Sequence, residues 1–259
     1  MKNFAWVWAI ILINWRNMTA HKGAFWSLAL LMCLQNLTYF SLWGVVFYRI
    51  GDMRGWGLNE VAFLFGSGAM GYGLVFSVLG GINQLGHTIQ DGELDLHLAR
   101  PRPVLWLALM SRMRADSLGD VLTGFVMLAF IVQPSLTDLP LLAILSLSAG
   151  LVFGSVRLIT HTLAFWGVSG EAGENGFVAF LIAATNPLNG FGTTAKIALL
   201  TIFPAGYVGL LPVEILRHFQ WDYMALQLFG SFSVFAFALW FFSKGLRRYT
   251  SGNRFLTLR

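Results

Sequence analysis

Apolar stretches alternate with short polar ones along this chain, and six of the apolar stretches are long. A helix needs about 20 apolar residues to cross the hydrocarbon core of a bilayer. The pattern therefore predicts an all-α membrane protein with six transmembrane helices, forming a single transmembrane domain over residues 1–259. The predicted spans are residues 25–48, 61–85, 117–133, 141–166, 195–211 and 223–242.

The first apolar run, residues 4–13, is too short to span the bilayer. It contains Trp6 and Trp8, and tryptophan side chains prefer the headgroup region. We therefore expect residues 1–22 to contain a helix that lies in the cytosolic interface. The alternative is a signal peptide, for which Ala20 offers a poor cleavage site.

The second predicted span is rich in small residues, which let helices approach each other closely. Ser67 and Gly71 lie four residues apart, and so do Gly73 and Ser77. Residues 66–71 also match the pattern GxGxxG. A dinucleotide fingerprint needs a preceding strand and a βαβ unit, so we predict helix packing here and no cofactor.

Residues 167–200 have the weakest pattern. They are predicted to contain a polar loop at 167–175 and an apolar piece at 177–185 that is too short to cross alone. The fifth span contains Pro204, which is tolerated where neighbours satisfy the freed backbone carbonyl. The topology of this region stays open.

Composition agrees with a membrane protein, since 56% of residues are hydrophobic and 11% are charged, whereas soluble domains carry about 25% charged residues. The net charge of +5 does not predict a nucleic-acid partner, because the basic residues lie at the ends of apolar runs. Membrane lipids are the expected surroundings. The single cysteine, Cys33, excludes an internal disulfide.

The positive charges predict the orientation. Thirteen of the 17 Lys and Arg residues lie on one side of the predicted spans, three lie on the other side, and Arg157 lies within a span. Because positive charges are enriched in cytosolic segments, we expect a multi-pass protein of the plasma (inner) membrane with both termini in the cytosol. The basic tail, residues 243–259, is then cytosolic.

Arg157 and His161 are candidates for a translocation path. An arginine in mid-bilayer costs about 2.5–3.5 kcal/mol on insertion scales, and such residues are often functional. Arg157 could instead reach the cytosolic interface, or pair with Asp120 on the third span. Glu171 and Glu174 share a helical face, and the pattern favours a solvated loop end over a proton relay.

The longest predicted cytosolic segment, residues 86–116, carries most of the charge between the second and third spans. It includes Asp91, Glu93, Asp95 and Arg100. These could contact a partner, or they could form a solvated turn. Alternation of polar and apolar residues in this stretch favours a strand.

No motif for catalysis, metal binding or nucleotide binding is found in the sequence. There is no GxxxxGK[ST], no HExxH and no GxSxG, and the five histidines are scattered. We therefore predict no catalytic, metal or cofactor residues in this chain, and no enzyme activity of its own.

Three segments together resemble the ABC-2 type permeases, the membrane subunits of ATP-driven exporters, in a branch that is otherwise uncharacterised. The first is GELDLHLARP at residues 92–101, the second is Asn-Pro-Leu at 186–188 with the prolines that follow it, and the third is GLRRYTSG at 245–252. Asn186 stands where many members carry tyrosine.

The resemblance implies that ATP binds to a separate ABC ATPase subunit, which contacts the segment between the second and third spans. Asp91, Glu93, Asp95 and Arg100 would then be coupling residues, on a short helix rather than a strand. The permease would form a homodimer, or a heterodimer with a homologous permease. The other classes considered are a membrane enzyme acting on lipid head groups and a non-transporting scaffold.

Overall fold

The computed structural model describes residues 5–53, 55–187 and 192–250, and the regular structure within these ranges is helical, without strands. The prediction of an all-α protein is thereby confirmed. The α-helices are α1 (Ala5–Thr19), α2 (Lys22–Ile50), α3 (Leu58–Val78), α4 (Leu85–Gln90), α5 (Asp95–Leu98), α6 (Val104–Leu109), α7 (Asp116–Met127), α8 (Leu139–Thr162), α9 (Gly170–Thr185), α10 (Thr193–Thr201), α11 (Gly206–Gly209), α12 (Leu211–Arg217) and α13 (Trp221–Leu246).

Four helices in the described part of the chain are long and apolar enough to cross a membrane. They are α2, α3, α8 extended to Trp166, and α13. A fifth span is reached if α10 and the helices of Gly206–Arg217 count as one bent pair. The structure therefore supports four or five spans by length, and the predicted number of six is not confirmed.

Two predicted spans fall short for physical reasons. Helix α7 has 12 residues and continues as a five-residue π turn, Leu128–Val132, which leaves it near the lower limit for a crossing. The chain bends by 110° between α10 and Gly206–Arg217. The predicted span over residues 195–211 is therefore bent in the structure and is not confirmed as a crossing, because Pro204 lacks the amide N–H that would continue α10.

The prediction of a polar loop at residues 167–175 was also wrong, because α9 already begins at Gly170. The hydroxyl of Ser169 caps this helix by accepting a hydrogen bond from the Ala172 N–H at 3.1 Å. Ser169 with Glu171 in the first turn is a regular helix-start signal. This signal starts a helix at Gly170 despite the polar composition of residues 167–175.

The predicted N-terminal helix is present as α1, and its position in the membrane interface stays a prediction. The side-chain amide of Asn14 donates a hydrogen bond to the Met110 carbonyl at 2.7 Å. The guanidinium of Arg102 lies 5.9 Å from the ring centroid of Trp6. These two contacts attach α1 to the segment of residues 86–116.

Residues 86–116 are built from short helices, α4 to α6, and not from a strand. The alternating pattern near Glu93 therefore does not mark a strand, and α5 occupies Asp95–Leu98. Gly92 has a φ of 77°, a left-handed conformation that suits glycine, and it separates α4 from α5. A short helix, as the family resemblance implies, is present, and of the four predicted coupling residues it contains Asp95.

Helix α3 lies at the centre of the bundle, with α7 on one side and α8 on the other. A Cβ on Gly71 would lie 2.6 Å from the amide nitrogen of Gly150 in α8. A Cβ on Gly73 would lie 2.6 Å from both the Ser117 carbonyl oxygen and the Val121 nitrogen of α7. The predicted close approach through small residues is confirmed, with backbone against backbone on both sides.

Substitution of Gly71 by valine should therefore destabilise the bundle. The added side chain would meet backbone atoms of α8 that cannot move aside locally, and overpacking of this kind costs about 1–3 kcal/mol or more. Thermal unfolding of the purified protein measures the effect. The control is Gly44→Val in α2, where an added Cβ meets no atom within 4 Å. Equal melting temperatures for both variants would contradict this packing.

Candidate functional site

Arg157 lies in α8 with only 4% of its surface exposed, and its guanidinium forms an ion pair with the carboxylate of Glu174 in α9. The same guanidinium stands over the ring of Phe177, 4.4 Å from its centroid, and 5.4 Å from that of Phe76. Its Nη1 donates a hydrogen bond to the Tyr72 hydroxyl at 3.4 Å. The charge is thus held by a carboxylate, two aromatic faces and a phenol.

His161 lies one turn after Arg157 on α8, with its Nε2 3.3 Å from Oε2 of Glu174. Both basic side chains therefore converge on one carboxylate. The predicted proximity of Arg157 and His161 on one helix face is confirmed. Their assignment to a translocation path stays a prediction.

Two alternatives considered for these residues were wrong. Arg157 does not pair with Asp120, because the carboxylate of Glu174 lies against its guanidinium. Glu174 is not part of a solvated loop, because α9 carries it onto α8. Glu171, three residues earlier, is exposed.

A cleft of about 370 Å³ opens beside this ion pair, between α2, α3, α7, α8 and α9. Its walls are mostly apolar and aromatic. The residues around it are Met32, Gln35, Asn36, Tyr39, Phe65, Gly68, Ala69, Tyr72, Asp120, Thr123, Phe153, Leu181, Ile182 and Thr185.

Asp120 is the charged residue in this cleft, and only 5% of its surface is exposed. Its Oδ1 accepts a hydrogen bond from the Asn36 side-chain amide at 2.7 Å. Its Oδ2 is buried and has no hydrogen-bond partner among the described residues. Sequence reasoning considered Asp120 only as a partner for Arg157, although an acid inside an apolar span is itself a signal for a functional site.

Tyr72 joins the cleft to the ion pair. Its ring borders the cleft, and its hydroxyl accepts the hydrogen bond from Arg157. Polar side chains from five helices thus lie in one connected region. We call this region the polar layer, and it consists of Asn36, Tyr72, Asp120, Arg157, His161 and Glu174.

The segment of residues 86–116 contacts the polar layer through α4. The Gln90 side-chain amide donates to the Val168 carbonyl at 2.9 Å, and its Oε1 accepts from the Gly170 N–H at 3.0 Å. Gly86 packs so closely on the start of α9 that a Cβ there would lie 2.9 Å from Gly170 Cα and from His161 Nδ1. Helix α4 therefore packs directly against the first turn of α9.

The four predicted coupling residues lie at or beside α5, within residues 86–116. Asp91, Glu93 and Arg100 are exposed, and Asp95 is half-buried. Burial and the neighbouring Asp95 carboxylate raise the pKa of Tyr249 to about 12. Asp95 and Tyr249, which belong to two of the segments that carry the family resemblance, are therefore neighbours in space.

Burial lowers the pKa of His97 in α5, and the nearby positive charge of Arg100 lowers it further. His97 is therefore neutral over more of the pH range than a solvated histidine. In the described part of the chain, no group of three or more His, Cys, Asp and Glu residues is placed to hold a metal ion.

Residues 33–253 match the family model described as ABC-2 family transporter protein. The chain belongs to this family. The match covers both segments that meet at Asp95 and Tyr249, and it supports assignment as an ABC-2 type permease. No curated protein and no solved structure matches the permease.

The Arg157–Glu174 ion pair should contribute measurably to the permease's stability. Coupling energies between contacting charged residues are about 0.5–3 kcal/mol, and partial exposure of Glu174 reduces the value toward the lower half of that range. The test is a double-mutant cycle that compares the free energies of unfolding of the native protein, Arg157→Met, Glu174→Gln and the double variant. Arg157→Met with Glu171→Gln is the control cycle. Strictly additive effects in the first cycle would contradict a stabilising pair.

Proposed function

We propose that this permease is the membrane subunit of an ATP-driven exporter. It would form the translocation path with a second permease chain, either an identical copy or a homologue. ATP hydrolysis would occur on separate ABC ATPase subunits that contact residues 86–116. The observation that carries the proposal is the family match over residues 33–253. The contact of Gln90 with Val168 and Gly170 joins residues 86–116 to the helix bearing Glu174.

The proposed orientation follows the distribution of Lys and Arg, with residues 86–116 and both termini in the cytosol. Six crossings fit this orientation. Four are the long helices α2, α3, α8 and α13, the fifth is α7 with its π turn, and the sixth is formed by α9 to α12 together. The indole of Trp56, in the connection between α2 and α3, donates a hydrogen bond to Glu214 of α12 at 3.2 Å. This contact supports a passage of residues 170–214 from the cytosolic end to the opposite end.

The proposed coupling runs through three contacts: the ATPase with the short helices of residues 86–116, Gln90 with the first turn of α9, and Glu174 with Arg157. ATP binding would draw two ATPases together and shift the short helices that rest on them. Helix α4 would pass the movement to the first turn of α9 through Gln90. Because Glu174 is also on α9, the movement would change its distance from Arg157 and from the Tyr72 wall of the cleft.

Substitution of the exposed residue Glu93 tests this proposal. Glu93→Lys should weaken ATPase binding, since the loss of one partner of a desolvated interfacial ion pair costs about 2–5 kcal/mol. A pair at the rim of the interface would cost about 0–1 kcal/mol. The double variant Glu93→Lys with Asp95→Lys should have a larger effect. Both residues lie outside the long apolar helices, so membrane insertion should be unchanged.

The measurement is the amount of copurifying ATPase, together with ATP-driven transport in vesicles. Asp52→Lys is the matched control, because Asp52 is an exposed acid at the opposite end of α3. Full retention of ATPase binding and transport by the double variant would show that these acids form a solvated turn.

A further inference from the structure

The cleft between the helices combines apolar walls with one buried acid. Aromatic rings of Tyr39, Phe65, Tyr72 and Phe153 stand around it, and Asp120 and Thr123 of α7 contribute polar atoms. Binding sites for small organic molecules have this composition, with predominantly apolar walls and a few placed polar groups. A volume of about 370 Å³ lies in their usual range.

Asp120 has no ion-pair partner among the described residues. Arg157 pairs with Glu174, and Arg114 pairs with Asp116. The hydrogen bond from Asn36 satisfies Oδ1 and leaves Oδ2 unpartnered in the cleft. A buried carboxylate without a counter-charge is costly, and a cation beside Oδ2 would remove that cost.

We propose that this cleft binds an apolar organic cation, with its charged nitrogen beside Asp120 and its apolar body between the aromatic rings. The aromatic faces add a second attraction for a cation. An anion would be repelled by Asp120, and a neutral molecule would leave the carboxylate unpaired. The inference rests on the proposed function in one respect, which is that the bound cation would be the exported substrate.

The direct test is binding of ethidium, an aromatic cation, to the purified permease in phosphatidylcholine nanodiscs. The neutral probe N-phenyl-1-naphthylamine serves as the comparison, and empty nanodiscs supply the background. Asp120→Asn should weaken ethidium binding at least tenfold and change binding of the neutral probe less than twofold. Asp120→Glu, which keeps the charge, should retain ethidium binding to within about threefold.

Asp116→Asn is the matched control, because it removes the same charge one turn earlier on α7, where the acid pairs with Arg114 outside the cleft. It should leave ethidium binding within twofold of the native permease. The proposal is overturned if Asp120→Asn binds ethidium as tightly as the native permease. It is also overturned if Asp120→Asn loses both probes equally, or if Asp116→Asn is equally defective.

Because binding is measured without an ATPase, this experiment separates the site from the transport function. Ethidium binding that depends on Asp120, without ATP-driven ethidium export by the assembled complex, would uphold the cation site and contradict its role as a substrate site. ATP-driven export of another compound with unchanged ethidium binding in Asp120→Asn would uphold the exporter and reject the cation site.

Discussion

A charged side chain within an apolar helix bundle is strongly stabilised by a partner inside the protein, because lipid offers it neither water nor a counter-ion. In this permease that constraint applies to Arg157. Its guanidinium contacts Glu174, the Tyr72 hydroxyl and the faces of Phe76 and Phe177. The pairing holds α9 against α8 at its first two turns, and it brings α3 into the same contact.

Helix α9 contacts the segment of residues 86–116 at its first turn and borders the cleft at its end. The first turn of α9 is held by Gln90, so the short helices of residues 86–116 are attached to the bundle at this point. Within the bundle, the end of α9 forms a wall of the cleft that contains Asp120. One ion pair therefore lies between the segment predicted to contact an ATPase and the cleft proposed to bind a cation.

Hydropathy was sufficient to predict the long helices, because burial in lipid imposes a length and a composition that a single sequence displays. Small residues in α3 likewise predicted the close packing at Gly71 and Gly73. The same pattern could not predict the bend at Pro204 or the start of α9, which depend on backbone hydrogen bonds and capping by Ser169. The partner of Arg157 was missed because partner choice depends on how α8 and α9 pack, a property that spacing along the chain does not contain.

The central claim is that residues 86–116 contact an ABC ATPase on the cytosolic side, and crosslinking from position 93 tests it most directly. Glu93→Cys in a Cys33→Ser background would carry a photoreactive maleimide, with Thr137→Cys as the control at the opposite end of the bundle. We expect Glu93→Cys to be labelled from the cytosolic side and to crosslink to the copurifying ATPase, with a yield that changes when ATP is added. Labelling of position 93 from outside the cell, or ATPase crosslinks from position 137 instead, would contradict the account.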